Sequence, residues 1–252
     1  VVFAVWLPLA LLVIWWFASA NSTSPFFPPL QLILDQLWTE WVLGDSKWQV
    51  VPSVTNLLIG YFLGALIGVV FGTILWKFPL SRKATSPFIF FLYALPAPAL
   101  LPALVALFGI GEARQIALIA FGATWPTLLN TLDGMRGIDE VKFDTARAMR
   151  LSSMRVLFSV VLPGASPQIA AGLRASLQVS IILMVVSELV AARAGIGYSI
   201  LQAQATFSIV QMWAGILVLA LIGTVLNGIF VLIERRWLRW YAGARRIEGA
   251  TP

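Results

Sequence analysis

Glu188 is the carboxylate of this sequence that falls inside a long, nearly uncharged stretch, so any ion or proton chemistry within a membrane would have to use it. Arg193 follows five residues later. Glu188 can therefore serve a pathway, pair with Arg193, or cap a backbone. Arg174, Gln178, Ser180 and Ser187 precede or adjoin it. Arg174 can attract an anion or extend its head to the nearer surface. Gln178 and Ser180 are two apart, face different sides of a helix, and cannot both line one pore. Hydrolytic chemistry needs a paired acid and base, a metal cluster or an activated nucleophile. With no His and no Cys, the chain offers no imidazole base, thiolate metal site or disulfide. No Gly is followed by Lys, so the phosphate-cradling G-x-x-x-x-G-K-[ST] loop is absent and the chain has no P-loop to bind ATP. Neither a metal nor a cofactor is expected here.

A second group of functional residues lies in the most polar stretch, Asp133–Pro167. Asp139-Glu140-Val141-Lys142-Phe143-Asp144-Thr145-Ala146-Arg147-Ala148-Met149-Arg150 is helix-forming material. Asp139 can cap its start, and the cations follow the acids, as the helix dipole favours. Ser152-Ser153 breaks it, and a second short helix, Met154–Val161, is expected to end at Leu162-Pro163-Gly164. Such a helix pair reads as a docking element, or as a surface helix resting on lipid headgroups.

The elements that must carry these residues are membrane spans. The chain has 252 residues, 60% hydrophobic and 11% charged, against about 25% charged in soluble domains. Uncharged runs at 1–34, 48–76, 84–111, 115–132 and 195–233 are long enough for bilayer helices, which need about 20 apolar residues. Open sheets are excluded in lipid, and the alternating pattern of a barrel is missing. The reading is an all-α polytopic protein, one domain over 1–252, with six spans at about 2–20, 51–76, 87–108, 115–132, 168–190 and 213–233. The first run is expected to be a retained helix rather than a signal peptide, with a short piece missing before it. The loops at 77–86 and 133–167, the tail from Glu234, and Arg174 hold fourteen cations, including Arg235, Arg236, Arg239, Arg245 and Arg246. The opposite side keeps Lys47, Arg114 and Arg193. That asymmetry places both termini in the cytoplasm, and it accounts for the net charge of +6 without nucleic acid.

Three further patterns stand out. Leu30, Ile33, Leu34, Leu37, Trp38 and Trp41 predict a short amphipathic helix lying in the outer interface. Gly60, Gly64, Gly68 and Gly72 form one stripe on the second span, suited to close helix packing or to a dimer contact. In the third span, Tyr93 precedes Pro96, Pro98 and Pro102, three prolines in seven residues that forbid an unbroken helix. A broken helix at this depth either lines a pathway or is a packing kink.

The loop residues also carry a resemblance. Asp144-Thr145-Ala146, then Arg150, then Val160 and Leu162-Pro163 are spaced like the cytoplasmic loop motif of binding-protein-dependent permeases of the ABC importer superfamily. That motif is Glu-Ala-Ala, three residues, Gly, nine residues, an aliphatic, any residue, Leu-Pro. Arg150 stands where the family has Gly, which implies a different turn or a strained one. Phe108–Glu112, Trp125–Thr131, Asp133-Gly134, Leu162–Pro167, Ala171–Arg174, Ser187–Leu189, Gly195–Tyr198 and Glu234–Trp237 resemble the subfamily importing nitrate, sulfonates, taurine or bicarbonate.

The resemblance implies a type I importer permease fold in the cell membrane, paired with a second, identical copy. Two ABC ATPase subunits would bind ATP and Mg, and an extracytoplasmic substrate-binding protein would deliver a small anionic solute. It places Asp144, Thr145, Ala146, Arg147, Met149, Arg150, Leu162 and Pro163 at the ATPase contact. The residue reading offers Tyr93, Pro96, Pro98, Gln178, Ser180, Ser187 and Glu188 for the translocation pathway. A stand-alone secondary transporter or channel is the competing reading. It needs no docking loop, and its coupling ions usually need several intramembrane acids.

Overall fold

Apolar runs bounded by Gly, Pro and charge fold here into helices, and a computed structural model describes residues 2–241. Arg245 and Arg246 lie outside the described residues. In order, the helices are α1 (Val2–Ser19), α2 (Leu30–Gln36), α3 (Val50–Lys77), α4 (Pro79–Ala94), α5 (Leu101–Phe108), α6 (Glu112–Arg136), α7 (Glu140–Ala148), α8 (Ser153–Val156), α9 (Leu162–Ala191), α10 (Ile196–Ala205) and α11 (Ile209–Trp237). No strand occurs among the described residues. Asp45–Lys77, Ser153–Val190 and Ile209–Trp237 are each long and apolar enough to cross a membrane. The pair Pro79–Ala94 and Ala97–Phe108, bent by 90°, is long and apolar enough to cross as well if taken as one broken span.

The chain divides into two compact units, 1–55 with 185–223, and 56–184 with 224–252. The first unit is built on the segment that follows α1. There α2 runs on through a π turn (Leu37–Leu43) and a 3-10 turn (Asp45–Gln49). Leu30, Ile33 and Trp41 are buried against Ile196, Ile200, Ala214 and Val218. The predicted amphipathic helix thus spends one face on protein, while Leu34 and Trp38 stay exposed. Ser19 fastens its start by accepting the N–H of Leu30 at 3.0 Å.

The core of the second unit is α6. Its length suffices for a span, but Gln115, Thr124, Thr127 and Thr131 make it polar, and all four are buried. The glycine stripe of α3 lies against it. A Cβ on Gly60 would come within 2.7 Å of Ile119 Cβ, and one on Gly68 within 2.7 Å of Thr127 Cβ. The stripe therefore serves packing inside this chain. On the α9 side, Thr127 and Ser176 hydroxyls meet at 2.6 Å, and Ser176 donates to the Ala123 carbonyl at 2.7 Å. Burial of Gln115, Thr124 and Thr127 is thus matched by partners, as low-dielectric surroundings require, whereas the Thr131 hydroxyl has none among the described residues.

Three sequence expectations change. The span at 87–108 is broken, as its prolines predict, but it starts earlier than expected: α4 begins at Pro79, tolerates Pro87, and ends before Pro96, where the chain turns through 90° into a 3-10 turn and α5. The helix after Ser152 does not stop at Leu162-Pro163-Gly164. It passes through a π turn (Leu157–Val161) directly into α9. The wider turn accommodates the proline ring and its missing donor. Arg114, read as an outer loop cation, is fully buried in the first turn of α6.

Candidate functional sites

The helix α7 has the cap the sequence predicts, since the Val141 N–H donates to Asp139 Oδ1 at 2.9 Å. Its end is more informative. The Arg150 N–H donates to the Arg147 carbonyl at 2.9 Å and the Leu151 N–H to the Ala146 carbonyl at 3.1 Å. This paired closure is a Schellman turn, which needs a left-handed residue just past the helix. Arg150 supplies it with φ of 51°. The turn normally made by Gly is therefore retained, at a cost of about 1–2 kcal/mol for a residue with a Cβ.

The residues expected at a docking contact separate into two sets. Ala146 is 3% exposed and faces inward, in a recess lined by Trp76, Phe143, Leu151 and Val156. Trp76 stacks on Phe143 at 6.2 Å, which seats α7 on the C-terminal end of α3. Met149 is 68% exposed, as are Val141 and Met154 to similar extents. Asp144 and Arg147 form a solvent-exposed pair at 2.8 Å, a geometry that contributes about 0–1 kcal/mol. Thr145 turns its hydroxyl back to the Val141 carbonyl at 2.9 Å. Leu162 is half-buried and Pro163 exposed at the start of α9. α7 thus presents apolar side chains outward from a seated, capped platform.

In the structure Glu188 caps a helix. Glu188 is 1% exposed, and its Oε2 accepts the N–H of Gly197 at 2.8 Å. The Ile196 N–H donates to Ser53 Oγ at 2.9 Å and the Gly195 N–H to Gln49 Oε1 at 2.8 Å. Three successive orphan donors at the start of α10 are thereby taken by three side chains from outside it. Gly195 has φ of 119°, and a Cβ there would fall 2.5 Å from Glu188 Cδ. Of the alternatives for Glu188, the backbone cap is the one formed; Arg193 is exposed and makes no ion pair among the described residues. Gln49 and Ser53 were not singled out from the sequence. Their signal is the four-residue spacing at the head of a span, which puts both on one face.

The remaining pathway candidates fall into two classes. Tyr93, Pro96, Pro98 and Gln178 are exposed, whereas Ser180 and Ser187 are fully buried. Gln178 and Ser180 do face different sides. With Gln168 and Arg174, Gln178 forms an exposed polar stripe along α9. Lipid cannot solvate such a stripe well, so it suits water or another protein. Arg174 lies 4.0 Å from Glu234, and Gln168 donates to Asn130 Oδ1 at 2.9 Å.

Comparison with known proteins agrees with this architecture. The chain is 32% identical over 238 residues to the taurine transport system permease protein TauC of Escherichia coli (strain K12), covering 92% of this chain and 86% of the relative. It is 29% identical over 236 residues to a putative aliphatic sulfonates transport permease protein of Bacillus subtilis (strain 168), covering 93% and 86%. It is 28% identical over 241 residues to the bicarbonate transport system permease protein CmpB of Synechococcus elongatus, covering 91% and 86%. A chain of the inward-facing MetNI methionine ABC transporter shares the fold, with a TM-score of 0.64 at 20% identity, covering 74% of this chain and 93% of that one. Residues 60–239 match the family described as binding-protein-dependent transport system inner membrane component, and the chain belongs to that family, the transmembrane permeases of ABC importers.

Proposed function

We propose that residues 1–252 act as one permease domain that, paired with an identical copy, forms the route for a small anion across the cell membrane. The solute is of the sulfonate, taurine or bicarbonate kind, as the names of the relatives suggest, handed over by a binding protein on the outer side. Both termini and α7 lie in the cytoplasm, following the cation asymmetry. Two ATPase subunits dock there and hold ATP and Mg, which this chain has no P-loop to bind.

The observation that carries the reading is the platform of α7. Val141 and Met149 are presented to water while Ala146 and Phe143 anchor the helix to α3. An apolar face held rigidly in solvent suits insertion into a groove on a partner. The polar stripe of Gln168, Arg174 and Gln178 supports a wet or subunit-covered face on α9. Glu188 holds α10 in place rather than meeting solute.

The test is purification of the chain from its native host in mild detergent. A P-loop ATPase recovered at equal stoichiometry, and lost on Met149→Asp with Val141→Asp, is the expected result. A chain that purifies alone and moves solute in vesicles without ATP would instead be a secondary transporter.

A further inference from the structure

Near the end of α11, an apolar cavity of about 450 Å³ opens between Val69 of α3, Phe158, Leu162, Pro163, Ile169 and Leu173 of the π turn and α9, and the indoles of Trp237 and Trp240. Its size falls in the range of ligand sites, about 300–1,000 Å³. The hydroxyl in its lining, Ser166, is already committed to the Pro163 carbonyl at 2.8 Å. Both indoles are about half exposed, at 49% and 51%, and so straddle an apolar space and a polar one.

In sequence, arginines neighbour the lining residues on two elements. Arg236 precedes Trp240 by one helical turn, Arg239 adjoins it, and Arg155 lies one turn ahead of Phe158. Arg155, Arg236 and Arg239 are all exposed and form no ion pair among the described residues. Glu234, the acid on this part of α11, faces Arg174 instead. An apolar slot, indoles at its edge and uncompensated arginines next to its lining residues in sequence match one kind of occupant by charge and by polarity.

We propose that this cavity is a binding site for an anionic phospholipid. An acyl chain fills the slot against Phe158, Leu162 and Leu173, and the phosphate rests among Arg155, Arg236 and Arg239. Basic pockets between spans on the cytoplasmic side recognise such headgroups. Because Phe158, Leu162 and Pro163 belong to the segment that follows α7, a bound lipid braces the platform from behind. The lipid site needs the chain to be in a membrane, but not the docking assignment of α7.

The experiment reads lipid retention, which is independent of transport. The purified protein, with whatever subunits accompany it, is reconstituted in nanodiscs of equal phosphatidylglycerol and phosphatidylcholine. It is then extracted and its retained lipids are counted by native mass spectrometry. The wild type is expected to keep phosphatidylglycerol preferentially. Arg236→Gln with Arg239→Gln should lower that preference roughly five-fold per arginine, and Trp240→Ala should lower retention of both lipids. Equal retention of the two lipids by the wild type overturns the proposal, as does an unchanged preference in the double variant. A photoactivatable phosphatidylglycerol should label Phe158 or Leu173, and labelling confined to other segments overturns it equally.

Discussion

Glu188 and Gly197 are nine residues apart, and the carboxylate of the first accepts the backbone N–H of the second at 2.8 Å. This contact ties the last turns of α9 to the first turn of α10. It explains why an acid sits in an apolar stretch: its oxygen replaces the water that the helix end cannot reach.

A capping role and a charge-carrying role respond differently to substitution. Glu188→Gln keeps an acceptor for the Gly197 N–H and is expected to cost about 1 kcal/mol or less and to preserve transport. Glu188→Leu leaves that donor unpaired and is expected to cost about 1–3 kcal/mol. Thermal inactivation midpoints of the purified variants, with solute uptake in vesicles, check both. Loss of uptake in a fully folded Gln variant would return Glu188 to the pathway.

Arg150 holds a left-handed turn that Gly makes without strain. Arg150→Gly is expected to stabilise the protein by about 1 kcal/mol, and Arg150→Val to destabilise it, since a β-branched residue is least suited to positive φ. Inactivation midpoints at a fixed heating rate give the order. If Val and Gly behave alike, the turn is not the one described.

Glycines of α3 and α11 differ in what surrounds them. Gly68→Val would drive a side chain into Thr127 and the Thr124 carbonyl, and overpacking of this kind costs about 1–3 kcal/mol or more. A Cβ on Gly228 meets nothing within 4 Å, so Gly228→Ala is expected to be silent. The monodisperse fraction after size-exclusion chromatography separates the two.

Ala146 is buried within α7, whereas Met149, the residue just past its end, is exposed. Ala146→Glu would push a charge against Trp76 and Phe143, and is expected to unseat α7 as well as any partner. Met149→Ala is expected to weaken the partner while leaving α7 seated. Hydrogen exchange of 140–148 should rise in the first variant and stay unchanged in the second.

Much of this arrangement is legible from the chain. The four glycines on α3 announce a close helix, because only a missing Cβ permits that approach. Asp139 announces a cap, and the spacing from Asp144 to Pro163 announces the loop. Three things are not legible. Pro163 looks like a stop, but a preceding π turn absorbs it, and nothing local signals that turn. Three prolines predict a break without saying that the chain turns 90° at Pro96 and that α4 begins as early as Pro79. Glu188, Gln49 and Ser53 meet only in three dimensions, so no single periodic pattern links them to the start of α10.

The polarity of α6 also bears on how it enters the membrane. A helix carrying Gln115, Thr124, Thr127, Asn130 and Thr131 gains too little from lipid to partition readily on its own. Its close partner α3 is apolar and precedes it in the chain. The glycine face of α3 offers α6 the close packing that lipid does not, and Ser176 of α9 meets the Thr127 hydroxyl on its other side. The glycine stripe is thus a reception site for the helix that cannot insert unaided. Filling that stripe should strand α6 outside the membrane, where a glycosylation tag placed beside it would record the failure.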